Sequence, residues 1–166
     1  MNQKADVFWI REKETAPGQL GIMPRPRGDK WLAADIRSLR EQGVGALVCL
    51  VEDWELKALG LTEERRLCEK NGIDFLHFPI PDFGVPADRS RFSALVKSLS
   101  EKLDQGVPVV IHCHGGVGRS SVAAAGVLLE RGVSADQVFD LIGLHRGKKV
   151  PETREQAEWV NYFQKK

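Results

Sequence analysis

The residues of this chain best suited to chemistry stand together: His112-Cys113-His114-Gly115-Gly116-Val117-Gly118-Arg119, followed by Ser120 and Ser121. A cysteine becomes a nucleophile at neutral pH when positive surroundings lower its thiol pKa from about 8.5 into the ~3.5–7.5 range. Gly115, Gly116 and Gly118 let the segment curl until successive N–H groups point inward, which makes an anion nest. Arg119 adds a planar fork that matches two oxygens of a phosphate group. The run 107–111 reads as a buried strand and residues 120–129 as a helix of small residues. A helix N-terminus exposes unpaired N–H groups and the positive end of the macrodipole, so the loop enters a site that favours anions. The expected chemistry is attack by Cys113 on a phosphate group held by the N–H groups of residues 114–119 and by Arg119.

Other uses of the stretch fit less well. A Walker phosphate loop needs Gly-x4-Gly-Lys-Ser/Thr, and no lysine follows Gly118. A dinucleotide fingerprint needs glycine or alanine where Ser121 stands. A serine-hydrolase elbow needs a second glycine where Val122 stands. His112, Cys113 and His114 have no Cys-x-x-Cys or second ligand pair to complete a zinc site, so no metal is expected. The remaining alternative is a buried structural cysteine beside a glycine turn.

Hydrolysing a phosphate ester also requires protonating the leaving oxygen, which a positioned carboxylic acid does. Asp82 lies in a proline-rich loop, Pro79-Ile80-Pro81-Asp82-Phe83-Gly84-Val85-Pro86, at the end of an expected strand. In α/β sheets, sites form outside the C-terminal ends of strands. The competing reading of Asp82 is turn chemistry. Asp88 is the rival acid, but it immediately precedes residues 89–103, whose apolar positions Phe92, Leu95, Val96, Leu99 and Leu103 share one helical face. Asp88 is therefore expected to cap that helix. A second stiff loop, residues 23–30, carries Pro24 and Pro26 together with Arg25 and Arg27. It reads either as a solvated connector or as a basic rim that meets an anionic substrate.

The elements that must hold these residues follow from periodicity. Residues 7–10 and 19–22 read as short strands. Asp29 is placed to cap a helix over residues 30–41, with Trp31, Leu32, Ile36 and Leu39 inward and Gly43 as its stop. Residues 46–51 read as a buried strand, 52–59 and 62–70 as helices broken at Gly60, and 73–80 as a strand after the Asn71-Gly72 turn. His77 is expected to be a packed or edge histidine. Ser134-Ala135-Asp136-Gln137 reads as a capping box opening a helix that carries Val138, Leu141, Ile142 and Leu144. The basic run 145–149 suits that helix's C-terminus. A last helix follows Pro151, with Trp159, Val160 and Phe163 on its packing face. This order predicts an α/β fold, a central mostly parallel sheet with helices on both faces.

The pattern His-Cys-x5-Arg-Ser in a strand–loop–helix setting resembles the signature of the cysteine-dependent protein tyrosine phosphatase superfamily. With Pro81-Asp82 and the overall size, the chain is most similar to small dual-specificity-type phosphatases related to cyclin-dependent-kinase-associated phosphatase, bacterial relatives included. The likeness runs from about residue 20 to 163, and the two-proline loop at 23–28 belongs to it. The resemblance implies a dual-specificity-like protein tyrosine phosphatase fold and assigns roles. Cys113 forms a thiophosphoryl intermediate. His114, Gly115, Gly116, Val117, Gly118 and Arg119 bind phosphate. Asp82 is general acid and then base. The Ser120 hydroxyl eases departure of the sulfur, and His112 braces the loop from beneath. Gln156 falls loosely where some relatives place a water-positioning glutamine. His114 stands where lipid-phosphatase relatives often carry lysine, which weighs against an inositol-phosphate substrate. Cys49 is either a redox partner of Cys113 or a small buried residue.

The composition agrees with one phosphatase domain over residues 1–166, in which 1–28 contribute the N-terminal strands and the proline-arginine loop and 29–166 the catalytic core. At 42% hydrophobic and 28% charged, the 166 residues are ordinary for a globular protein. A formal net charge of +1 lacks the basic excess of a nucleic-acid binder. No apolar run approaches a membrane span, and the N-terminus lacks a signal-peptide core. Three irregularly spaced cysteines suit a reducing cytoplasm. The expectation is a cytoplasmic, monomeric phosphatase without cofactor, acting on phosphotyrosine proteins and also on phosphoserine or phosphothreonine. The alternatives are an enzyme for phosphoinositides or small phosphorylated metabolites, or a phosphate-binding module without turnover.

Overall fold

In the computed structural model, which describes residues 5–164, five strands and seven helices alternate along most of the chain. The strands are β1 (Phe8–Trp9), β2 (Gln19–Met23), β3 (Ala46–Cys49), β4 (Asp74–His77) and β5 (Pro108–His112). They form one sheet in the order β1-β2-β5-β3-β4. Only the β1–β2 pair is antiparallel. β5 is central, and its last residue, His112, pairs with Met23 on one side and Cys49 on the other. The exits of β2, β3 and β5 therefore lie side by side.

The helices are α1 (Leu32–Glu41), α2 (Asp53–Ala58), α3 (Glu64–Lys70), α4 (Arg89–Asp104), α5 (Arg119–Glu130), α6 (Ala135–Arg146) and α7 (Arg154–Gln164). Alternate residues of the buried strands feed two cores, as the pleat requires. Val109, Ile111, Ala46, Val48, Leu20 and Ile22 pack with α4, α5, α6 and α7. Val110, Leu47 and Met23 pack with α1 and α3. Helices thus cover both faces, as the sequence predicts. None is long and apolar enough to cross a membrane among the described residues.

α5 is buried along most of its length and is built from Val122, Ala123, Ala124, Ala125, Gly126 and Val127. Small residues let α4 approach closely: a Cβ on Gly126 would stand 2.8 Å from Val96 and 2.9 Å from Phe92. Phe92 is fully buried and meets Trp159 and Phe163 of α7 edge-on, at ring-centroid distances of 5.0 and 5.1 Å.

Several local expectations give way to tertiary structure. The strand expected over 73–80 ends at His77, because Pro79 and Pro81 lack the N–H a ladder needs. Asp29 does not cap α1. It opens a short 3-10 turn with φ +51, and its carboxylate packs on Gly60, whose carbonyl accepts from the Asp29 N–H at 2.9 Å. Ser134 makes no side-chain cap, so no capping box forms there; its carbonyl takes the first helical bonds of α6. Leu144 is 74% exposed rather than inward. Asp88 does cap α4, accepting from the Arg91 N–H at 3.0 Å.

The aromatic clamp between α4 and α7 gives the first prediction. Phe92→Ala removes a fully buried ring and should lower unfolding free energy by ~3–5 kcal/mol. A urea midpoint close to that of the unsubstituted chain would contradict the packing described.

Candidate active site

The Cys113 loop starts where β5 stops and ends where α5 begins. Its shape is imposed from outside. Gly116 has φ +68, and a Cβ there would fall 2.5 Å from the backbone of Met23 and Pro24. Only glycine fits such a position. The carbonyl of His114 accepts from the Arg25 N–H at 3.1 Å. The carbonyls of Gly116 and Gly115 accept from Arg146, at 2.9 Å from Nε and 3.2 Å from a terminal nitrogen. Three consecutive carbonyls are thus engaged on the outside of the curl, which suits an inner face of N–H groups. A Cβ on Gly118 would collide with the side chains of Glu152 and Gln156, so α7 and the turn before it close that flank.

Cys113 is buried at the floor of this loop, and its Sγ lies 3.4 Å from Ser120 Oγ. Beneath it, His112 Nδ1 is 3.0 Å from the Cys113 carbonyl oxygen, the brace expected of that histidine. His112 Nε2 faces both oxygens of the Glu64 carboxylate, at 2.9 and 3.1 Å. Burial alone would push the imidazole pKa down, but the negative charge of Glu64 outweighs it and holds His112 well above its ordinary value.

Arg119 is 1% exposed and fully engaged. Its terminal nitrogens donate to Glu55 at 2.7 and 2.9 Å, a bidentate pair, and to the carbonyl of Ile80 at 2.9 Å. The same guanidinium lies 3.1 Å from Asp82 Oδ1. Asp82 is therefore brought to the Cys113 loop, as its place after a strand predicts. Burial works against the Arg119 charge, and the Glu55 hydrogen bond, the chief of the opposing effects, raises its pKa overall. Burial likewise works to raise the Glu55 carboxyl, but hydrogen bonds from Arg119 and from the Glu52 N–H prevail and lower it. That N–H bond, 2.8 Å long, is the backward reach of an N3 carboxylate at a helix start.

The acid loop is held in place. Asp82 Oδ1 accepts from the Phe83 N–H at 3.0 Å, Phe83 has φ +61, and the Gly84 N–H closes a turn on the Pro81 carbonyl at 2.8 Å. Gln156 Nε2 donates to the Gly84 carbonyl at 3.1 Å, while its Oε1 accepts from the N–H groups of Glu152 and Thr153. Gln156 is fully buried and anchors this loop.

One reading from sequence needs correction and another extension. Arg27 is not a free rim charge. Its guanidinium pairs with Asp35 at 2.6 Å and stacks on Trp31 at 4.9 Å from the ring centroid. Arg25 stands next to the Cys113 loop through its backbone N–H on the His114 carbonyl, while its guanidinium donates to the Pro26 carbonyl at 3.1 Å. Arg146 sits in the last turn of α6 as expected but does more there: it is buried, supports the loop and lies 4.1 Å over the Phe8 ring. Burial, the larger influence on it, lowers its pKa. His77 is packed as expected, with Nε2 2.7 Å from the Val51 carbonyl oxygen.

Cys49 is free and fully buried. It pairs in register with His112 and so shares that residue's face of the sheet, whereas Cys113 packs with the opposite core. This favours the small-buried-residue reading of Cys49 over a redox partner. Donor atoms of Cys49, Glu64 and His112 lie within 4.8 Å of one another, a potential metal trio among the described residues. Both ring nitrogens of His112 are already spent on Cys113 and Glu64, so the group reads as a hydrogen-bonded ion pair.

Against known proteins, a family model described as "Polymorphic toxin system, DSP-PTPase phosphatase" matches residues 21–133. The chain belongs to this DSP-PTPase family. Its matched segment holds Cys113, Asp82, Arg119 and Glu55. The chain is 29% identical over 134 residues to cyclin-dependent kinase inhibitor 3 of Rattus norvegicus, covering 80% of this chain and 63% of that protein. It thus spans less than two thirds of that relative's length. It is 29% identical over 140 residues to protein tyrosine phosphatase PRL-1 of Leishmania major, covering 79% of this chain and 74% of the relative. Among solved structures, kinase associated phosphatase with its catalytic-site cysteine changed to serine superposes with a TM-score of 0.91 at 23% identity. That match covers 99% of this chain and 97% of the other, and shows the shared fold. Tk-PTP in its active form matches with a TM-score of 0.76 at 28% identity, covering 96% of this chain and 97% of that one.

Glu55, Glu64 and Arg146 are the DSP-PTPase site neighbours that sequence reading misses. The Glu52/Glu55 spacing, a capping pair at a helix start, is the one local signal that could have pointed to any of them. A prediction follows for Glu55. Glu55→Gln leaves Arg119 buried without its anion and should cost ~3–5 kcal/mol of stability at pH 7. The folded carboxyl has the lower pKa, so its contribution is present above the unfolded value of about 4.3 and is lost as pH falls through the folded one. Urea unfolding should therefore separate variant from parent at pH 7 and bring them together in strong acid. A gap that persists unchanged in acid would refute the ion-pair account.

Proposed function

We propose that the chain is a cysteine-dependent phosphatase that hydrolyses phosphate monoesters on proteins, phosphotyrosine foremost, through a cysteinyl-phosphate intermediate. The observation that carries this reading is a single guanidinium, Arg119, fixed between the phosphate loop and Asp82 at 3.1 Å, with the Cys113 sulfur at the loop's floor.

The reaction divides into two displacements. The Cys113 thiolate attacks phosphorus, an S–P bond forms, and the ester O–P bond breaks. Asp82 gives its proton to the leaving oxygen, so the alcohol departs neutral. N–H groups of residues 114–119 and the Arg119 fork stabilise the three equatorial oxygens. Water then attacks phosphorus, Asp82 takes its proton, the S–P bond breaks, and phosphate is released. The Ser120 hydroxyl, 3.4 Å from the sulfur, stabilises the departing thiolate.

The preference for phosphotyrosine is supported by the rim. Phe83 is 57% exposed beside Asp82, and Trp54 is 62% exposed beside Glu55. Each ring belongs to the sequence neighbour of a residue that touches Arg119, which makes the pair candidates to meet the ring of an aryl phosphate. His114 in place of lysine favours protein over phosphoinositide substrates. The reading further assigns the enzyme to a reducing, cytoplasmic setting as a monomer. Three free cysteines and a thiolate nucleophile support such a compartment.

Cys113→Ser should abolish turnover of an aryl phosphate while still binding inorganic phosphate. Asp82→Asn should slow release of a poor leaving group by roughly 10²–10⁴-fold. Hydrolysis by Cys113→Ser at the parent rate would end the assignment. Rates on phosphotyrosine peptides, phosphoserine peptides and phosphoinositides, measured side by side, rank the substrates. A leading phosphoinositide rate would replace the protein-substrate reading. A detectable burst with an aryl phosphate would exclude a binding module without turnover.

A further inference from the structure

The mechanism above uses nothing on the far side of β5, yet a buried ion pair sits there. His112 and Glu64 are 0% and 1% exposed. A carbonyl oxygen only accepts, so the ring nitrogen 3.0 Å from the Cys113 carbonyl, Nδ1, carries a proton. Nε2 meets both oxygens of Glu64, at 3.1 and 2.9 Å. Contact with both oxygens is the geometry of an N–H donor shared by a delocalised carboxylate. With both nitrogens donating, the ring is an imidazolium. A buried charge of this kind persists only with a partner, and Glu64, in the first turn of α3, is that partner.

We infer that Glu64 is a positioning residue for the nucleophile: it holds His112 as an imidazolium whose Nδ1–H grips the Cys113 carbonyl, so a fixed positive charge faces Cys113 from behind. This rests on the proposed role of Cys113. The pair is neutral overall but oriented, with the cation against Cys113 and the anion one residue further away. Its field at the sulfur is therefore positive and favours the thiolate.

The other charged and titratable groups around this point belong to known elements. On the His112 side, β3 contributes the Cys49 thiol, and Cys68 of α3 lies behind it, near both Cys49 and Glu64. Burial, the leading influence, pushes both the Cys49 and the Cys68 thiol up, so neither ionises near neutrality. On the Cys113 side, Arg119 and Ser120 come from α5 and Arg146 from α6. Asp82 and Glu55 meet Arg119, and Glu55 also feels His114, while His114 and Glu152 border the loop. The Arg119 charge is already offset by two carboxylates. A further cation is therefore useful, and His112 supplies it.

Glu64→Gln tests this without emptying the site. The carboxamide N–H can donate to Nε2 while Nδ1 keeps its proton for Cys113, so the hydrogen bonds survive and the ring becomes neutral. Alkylation of Cys113 by iodoacetamide, followed from pH 4 to 9, reads the thiol directly. The apparent thiol pKa should rise, with on the order of a tenfold loss of rate below it, the equivalent of one pKa unit. The acid limb of kcat/KM should move with it, and the two proteins should converge at alkaline pH. Nitrogen-15 spectra of the unsubstituted protein at pH 7 should show two protonated ring nitrogens on His112, and those of the variant only one.

An unchanged thiol titration in folded Glu64→Gln, or a neutral His112 ring in the unsubstituted protein, would overturn the inference. If the variant does not fold, the ring signature of the unsubstituted protein decides. If the unsubstituted protein proves unable to turn over an aryl phosphate, the proposed function fails, while alkylation and spectra still report on Glu64.

Discussion

A guanidinium buried to 1% exposure constrains everything around it. Such a charge in a dry site costs several kcal/mol unless oxygen atoms meet it in good geometry. Arg119 finds them on two segments distant from it in sequence: α2, which supplies Glu55, and the loop beyond β4, which supplies the Ile80 carbonyl and Asp82. Satisfying one residue therefore draws α2 and the acid loop to the mouth of the central strand. The three partners are not equal. Glu55 is buried and makes two bonds, which fixes the plane of the fork. Asp82 makes one contact and its side chain is 39% exposed, so it is the partner open to water and to an arriving ligand.

The loop around Cys113 needs a rigid support, and the parallel strands supply it. β2, β5 and β3 are buried on both faces and end together. From that edge the loop is pinned outward by its carbonyls, to the Arg25 N–H on one side and to Arg146 on the other. A peptide unit whose carbonyl is held outside turns its N–H toward the centre. The anion-facing surface thus follows from contacts made on the outer side. Gly116 and Gly118 are needed because neighbours crowd the curl at Met23, Pro24, Glu152 and Gln156.

What was legible in the sequence was local. The strand–loop–helix around Cys113, the Asp82 loop and the α4 stripe each declare themselves within a dozen residues, through glycine, proline and periodicity. The supporting groups do not. Glu55 and Glu64 lie in short helices where a carboxylate normally meets water, and only contacts with Arg119 and His112, 64 and 48 residues away in sequence, reveal their task. Arg146 fits its place as a basic residue in the last turn of α6, and this adequate local explanation hid the distant one. Arg27 misled in the opposite sense, since its partner Asp35 lies on the inward side of α1. Asp29 and Ser134 match a capping rule, but Gly60 takes Asp29 and the Ser134 hydroxyl makes no helix bond.

The positive character of the site owes nothing to overall charge, since the chain carries a formal net charge of only +1. It comes from orientation. Arg119, Arg146 and His112 each touch the Cys113 loop or its backbone. The carboxylates that stabilise two of them, Glu55 and Glu64, stand one layer further out. Cations face inward and anions back them, so each pair is nearly neutral to the rest of the fold yet positive toward the sulfur. Free, unpaired cations would make a stronger field, but burying them would cost more than a domain of this size has to spare. Pairing Arg119 and His112 on their outer sides keeps much of the inward field at a desolvation cost the fold tolerates. The Asp82 loop is the exception: its carboxylate meets Arg119 from the open side, with the side chain 39% exposed.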